Sequence, residues 1–145
     1  MLSFASSLGP NIQAITIFVN EKYDYRSKKG ILSSSVVQKI NSFISTLKVE
    51  KDKEDISSFD ISNQQKCFII KIRKKNEDHY FQEIGGTFYS ELKKFKHIKN
   101  IYFYVDSLDF DKENLAVSFS EFIFGFNLKS YQFNKYKTSN NEKIN

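Results

Sequence analysis

The sequence predicts an α/β domain with a largely parallel or mixed sheet. Three observations predict it. Short β-branched runs alternate with longer segments of helical period. Two of those runs, Cys67-Phe68-Ile69-Ile70 and Ile101-Tyr102-Phe103-Tyr104-Val105, are continuously apolar, as strands covered on both faces are. Five glycines and one proline leave little room for long irregular loops.

The elements follow in order. From Asn11 to Val19, Ile15, Ile17 and Val19 alternate with Thr16 and Phe18, which reads as a strand, and a polar turn region runs from Glu21 to Gly30. Val36, Ile40, Phe43, Ile44 and Leu47 then recur on one face of a 3.6-residue period. Ser35 with Gln38 fits a capping box, and Ser33 or Ser34 are alternative caps. Lys48 to Asp55 reads as a solvated connection. Ile56 to Ser62 reads as a short strand with Phe59 and Ile61 on one face, and Lys66 to Ile72 as an inner strand.

A second helix is expected from Glu77 to Lys96, with Phe81, Ile84, Phe88, Leu92 and Phe95 as its stripe. Glu77 and Asp78 would lie in its first turn and Lys93, Lys94 and Lys96 in its last, where they complement the helix dipole. Gly85 and Gly86 in its middle each cost about 1 kcal/mol relative to alanine, and the expected return is close approach of helix to sheet. Asn100 to Asp106 is another strand. After a turn at Ser107 to Asp111, a third helix capped by Asp109 or Asp111 should bury Leu115, Phe119, Phe122 and Phe126, with Ile123 widening the stripe. Residues 138–145 are polar and carry no apolar period.

The length of 145 residues suits one domain, and 15 Phe with 8 Tyr are ample for a core. The net charge of +5 comes almost wholly from lysine. Arg26 and Arg73 are the only arginines, which argues against a nucleic-acid reader dependent on bidentate guanidinium contacts. Cys67 is the only cysteine, so neither an intrachain disulfide nor a cysteine metal cage can form, and its apolar run suggests a buried thiol. Met1-Leu2-Ser3-Phe4 lacks the basic and apolar regions of a secretory signal, and no segment approaches the ~20 apolar residues of a membrane span. The expected compartment is the cytoplasm.

No catalytic constellation is present. His79 falls in the first turn of the second helix and His97 beyond its last turn; about 18 helical residues apart, they are too distant to share a metal. The acidic stretch Asp106, Asp109, Asp111 and Glu113 lacks the spacing of a calcium-binding loop. The best anion-site candidate is Lys71, Arg73, Lys74 and Lys75, at the end of an inner strand where open α/β sheets bind ligands. Against it, phosphate cradles need glycine, and none lies between Gly30 and Gly85.

The segment from Glu121 to Lys137 carries more. Gly125, Leu128, Tyr131, Phe133, Tyr136 and Lys137 follow the order Gly-x-x-Leu-x-x-Tyr-x-Phe-x-x-Tyr-Lys. This resembles the stretch that closes the N-terminal domain of the leucyl aminopeptidase (cytosol aminopeptidase) family. Gln82-Glu83-Ile84-Gly85-Gly86 followed by Leu92-Lys93-Lys94 is similar to the family's second helix, with its glycine pair, and Cys67 to Ile72 to the strand before it. The resemblance runs from about Ile12 to Lys137. One departure is that Lys71-Ile72-Arg73-Lys74 stands where the family commonly has a Gly-x-Gly-Lys turn.

The resemblance implies a macro-domain-like three-layer sandwich over residues 1–137, with residues 138–145 a polar linker toward a C-terminal catalytic domain. It implies that the parent is a metal-dependent aminopeptidase assembled as a homo-hexamer. The two divalent ions (zinc or manganese), their ligands and the catalytic Lys and Arg would all lie on that C-terminal domain. No catalytic residue or metal ligand therefore carries over to this chain. A free-standing macro-like module binding ADP-ribose, or nucleic acid as some relatives do, is the alternative, though the lost glycines weaken a nucleotide site. Tyr131, Phe133 and Tyr136 depart from the helical spacing before them. As amphipathic rings they either meet a neighbouring domain or cover this domain's own core.

Overall fold

A computed structural model describes residues 3–5, 11–26, 32–50, 54–73, 79–107 and 112–144; in the last stretch, side chains are described from Asn114 to Lys135. The fold is α/β. The chain divides into two compact units, Met1–Lys75 with His97–Phe110, and Asn76–Lys96 with Asp111–Asn145.

The first unit holds an open mixed sheet in the order β1-β5-β2-β4-β3, made of β1 (Ser3–Ala5), β2 (Ala14–Val19), β3 (Ile56–Ser62), β4 (Gln65–Lys71) and β5 (Asn100–Tyr104). β2 pairs in parallel with β4 and β5, β1 in parallel with β5, and β3 antiparallel with β4. The expected largely parallel sheet is therefore present. All six residues of β2 are buried: both its edges are paired, and every side chain except Thr16 is apolar. The short strand β1, whose Phe4 ring meets Phe103 edge-on at 5.4 Å, had no periodic signal in three residues.

Helix α1 (Ser34–Glu50) packs onto one face of this sheet. Its Ile40 and Ile44 share an apolar cluster with Ile15, Ile17 and Val19 of β2 and Cys67 and Ile69 of β4. The parallel register sets Ile15 beside Cys67 and Ile17 beside Ile69, so one face of two strands forms a continuous floor. Phe43 stacks on Phe59 at 4.6 Å and carries the helix over the edge strand β3. The cap is Ser33, whose Oγ accepts the Val36 amide at 3.2 Å. That displaces the Ser35–Gln38 box. Leu32 before the cap and Val37 after it both join the cluster, as a hydrophobic staple requires.

In place of a strand ending at Asp106, β5 gives way to a single 3-10 turn at Val105–Ser107. Ser107 Oγ accepts the Phe18 amide at 2.9 Å and donates to the Tyr104 carbonyl, in a site 1% exposed. One hydroxyl thus satisfies two buried backbone groups.

The second unit is a pair of helices, α2 (Tyr80–Leu92) and α3 (Lys112–Ile144). α2 is shorter than its sequence pattern suggests. His79 sits at the N-cap with φ 68°, which breaks the helical path, and Lys93 is already the C-cap. Glu77 and Asp78 lie outside the described residues, and Lys93, Lys94 and Lys96 follow the last turn instead of lying in it. α3 is longer than expected: its backbone stays helical through Ile144, across the polar stretch that begins at Thr138. The proposed caps Asp109 and Asp111 lie outside the described residues.

Contacts advance in the same direction along both helices, from Phe88 with Phe122, through Tyr89 with Phe126, to Lys93 with Phe133. α2 and α3 therefore run side by side and point the same way. Phe133 falls seven residues after Phe126 and reaches the Tyr89 ring at 6.2 Å, so it continues the buried stripe. The irregular spacing expected of it came from counting Tyr131 with it. The side chain of Tyr136 lies outside the described residues.

Two outcomes test the sheet unit. Ser107→Ala leaves the Phe18 amide without its acceptor and is expected to lower unfolding free energy by about 1–3 kcal/mol in urea titrations. Cys67 is buried and burial pushes its thiol pKa well up, so the folded state keeps a proton that the unfolded chain releases near pH ~8.5. The contribution of Cys67 to stability should be flat below that pH and fall above it. The slope in Cys67→Ala should be shallower by up to about 1.4 kcal/mol per pH unit, read from denaturation midpoints between pH 7 and 10.

Candidate functional site

Two regions were singled out by sequence, the basic end of β4 and the segment from Gly125 to Lys137. At the first, the parallel strands end beside the loop 20–26 and the 3-10 turn. Asn20 Oδ1 accepts the amides of Lys22 and Asp24, both at 2.9 Å, which folds the loop back and holds Tyr23 at φ 66°. Lys71 is buried, 9% exposed, with its ammonium 4.9 Å from the centre of the Tyr23 ring. Arg73 binds Asp55 at 2.8 Å, with both side chains part-exposed. The two described cations are thus each engaged by a neighbour, a ring for one and a carboxylate for the other. Lys74 and Lys75 lie outside the described residues.

The opposite ends of the same strands border a polar hollow of about 590 Å³, rich in amides. Those amides stitch the strand starts together. Gln13 Oε1 accepts from the amides of Lys99 and Asn100, Gln65 Nε2 donates to the Ile12 carbonyl at 3.1 Å, and Asn100 Nδ2 donates to the Asn11 carbonyl at 3.3 Å. Their hydrogen-bonding capacity serves the strand ends. Elsewhere in the same unit, the half-buried Tyr25 donates its hydroxyl to Asn41 Oδ1 at 3.0 Å. Its pKa is raised first by burial and then by proximity to Cys67 and Tyr104, which would also become anionic.

In the helical unit, the deciding geometry is at three glycines. A β-carbon on Gly85 would land on the Phe122 carbonyl oxygen, with the carbonyl carbon at 2.9 Å. A β-carbon on Gly125 would land on the Gln82 carbonyl oxygen, with the carbonyl carbon at 2.6 Å. Each helix therefore presses the other's main chain at a glycine, and the close approach expected of Gly85-Gly86 is made to a helix, not to the sheet. Gly86 differs: its β-carbon would meet the Gly125 carbonyl oxygen at 3.6 Å and Lys129 Cβ at 3.7 Å, ordinary contact. Beside this crossing lies a groove of about 420 Å³ bordered by His79, Thr87, Ser90, Leu128 and Lys129.

The residues of the Gly125–Lys137 pattern divide by helix face. Gly125 and Phe133 point to α2, where Phe133 also receives the Lys93 ammonium at 4.4 Å from its ring centre. Leu128 and Tyr131 are exposed. The side chains of Tyr136 and Lys137 lie outside the described residues.

The helices that meet at these glycines lie in a stretch that matches a known family. Residues 73–140 match the cytosol aminopeptidase family, N-terminal domain. The match spans α2, β5 and most of α3, just under half of the chain, and includes every residue of the Gly125–Lys137 pattern. The resemblance to the cytosol aminopeptidase N-terminal domain thus holds from Arg73 onward, while Ile12 to Ile72 lie outside the match. No curated protein matches the chain.

The family implies divalent metal ions for a whole enzyme. Among the described residues no three His, Cys, Asp or Glu side chains come together to hold one. This part of the chain does not fit such a metal pair, and no chemical step is assigned to it. No helix among the described residues is long and apolar enough to cross a membrane.

What sequence reading missed was the reciprocity. The Gly85-Gly86 pair and the Gly125 motif each carried a signal, but only their juxtaposition shows that they make a single contact. Gly85→Ala and Gly125→Ala are each expected to force the helices apart and cost about 3 kcal/mol or more, measured by thermal unfolding. Gly86→Ala should be neutral or stabilise by up to about 1 kcal/mol, because it gains helix propensity with no clash.

Proposed function

We propose that this chain is the non-catalytic N-terminal domain of a metal-dependent leucyl aminopeptidase, an enzyme that removes N-terminal residues from peptides. The observation that carries this reading is the family match over residues 73–140, which takes in the glycine-packed helix pair. Gly85 and Gly125 support it, because glycines placed for backbone packing are a scaffold feature. On this reading the zinc or manganese ions, their ligands and the catalytic Lys and Arg belong to a larger C-terminal domain. Metal ions bound there would supply Lewis-acid chemistry for hydrolysis, and no residue of this chain is given a part in it. This domain then contributes to assembly of a cytoplasmic homo-hexamer, with the C-terminal domain of the same protein as its first partner.

Three measurements test the reading. The purified chain with added manganese or zinc should leave leucine p-nitroanilide intact, whereas metal-dependent turnover would overturn the proposal. An antibody raised against the chain should detect a natural product larger than 17.0 kDa, and a product of that mass alone would also overturn it. Calorimetric titration with ADP-ribose should give no binding at about 100 µM; tighter binding would favour the macro-like module instead.

A further inference from the structure

Helix α3 carries two apolar faces, and only one of them is used. Phe119, Phe122, Phe126 and Phe133 lie within about 60° of arc at 100° per residue, toward α2. Val117, Phe124, Leu128 and Tyr131 lie within a similar arc of about 60° on the opposite side. These four are 61%, 56%, 45% and 64% exposed. Only Phe4 and Val49 among the other large apolar side chains described are as open, so the exposure is concentrated on one stripe. Its apolar area is on the order of 400 Å², the size of patch that marks an interaction site on a monomer.

The charges bordering the stripe name its occupant. Glu121 borders its N-terminal half, and Lys135 lies on its line near the C-terminal end. Neither has an ion pair among the described residues. A surface acidic at one end and basic at the other is complementary to itself when turned around, and repels itself when laid parallel. We propose that α3 docks antiparallel on α3 of a second copy of this chain through Val117, Phe124, Leu128 and Tyr131. Setting Phe124 against Leu128 of the second copy places the two apolar pairs about the two-fold axis. It also sets each Glu121 opposite the other copy's Tyr131, about 6 Å along the axis from its Lys135, within reach of the long lysine side chain. Two copies bury about 800 Å² of apolar surface in this way, which corresponds to a weak, concentration-dependent dimer. The inference does not rest on the aminopeptidase reading.

Sedimentation equilibrium of the 145-residue chain tests it, with circular dichroism to verify that each variant is folded. The expected result is a reversible monomer–dimer equilibrium at about 100 µM that Phe124→Glu or Leu128→Lys weakens at least about tenfold. Glu121→Lys and Lys135→Glu should each weaken the dimer, most at low salt, and the double variant E121K/K135E should restore it. A monomer throughout that range would overturn the proposal and assign the stripe to a different polypeptide, such as a domain of the same protein. A dimer unaffected by Phe124→Glu and Leu128→Lys, or a double variant no tighter than the single ones, would overturn it equally. A negative result here leaves the peptidase assay above untouched, so failures of the two readings are told apart.

Discussion

Main chain against main chain at Gly85 and Gly125 is the contact on which the helical unit depends. A helix that carries side chains all round keeps its neighbour about 8–10 Å away, axis to axis. Removing two β-carbons lets each backbone approach the other's carbonyls, where Cα–H groups can meet oxygen. The glycines are unfavourable within each helix taken alone, and the packing they permit offsets that cost. The contact also sets the rotation of α3. Once Gly125 faces Gln82, a turn of 100° per residue sends Phe122, Phe126 and Phe133 toward Phe88 and Tyr89 and sends Val117, Phe124, Leu128 and Tyr131 away.

The sheet unit obeys a different constraint, the pairing of backbone groups where strands stop. At one end Gln13, Gln65 and Asn100 supply the missing partners, and at the other Asn20 and Ser107 do. These polar residues supply partners to the strand ends, since an amide or carbonyl left unpaired costs as much as a lost hydrogen bond. The same crowding engages the cations at the end of β4. Lys71 rests over Tyr23 and Arg73 binds Asp55, so each described cation there has a neighbour.

The two parts of the chain have different standing as evidence of function. α2, β5 and α3 carry the match to the cytosol aminopeptidase N-terminal domain, and within it the pattern from Gly125 to Lys137. Gly125 holds the helices together, whereas Leu128 and Tyr131, from the same pattern, are held outward by the same geometry. One short motif therefore contains both a packing role and a surface role, three residues apart.

Much was legible in the sequence by itself. The alternation of strand and helix, the burial of Cys67 to Ile70, the stripe from Ile40 to Leu47 and the resemblance from Arg73 onward all follow from local periodicity and local pattern. Local periodicity reports which face of an element is apolar, and that is a property of each segment alone. Only the tertiary structure decided what each face meets: that Gly85 presses a helix, that Phe133 stays in register while Tyr131 turns outward, that Ser107 reaches Phe18 across 89 residues. Such pairings depend on groups far apart in sequence arriving at one place, and no count along a single segment contains them.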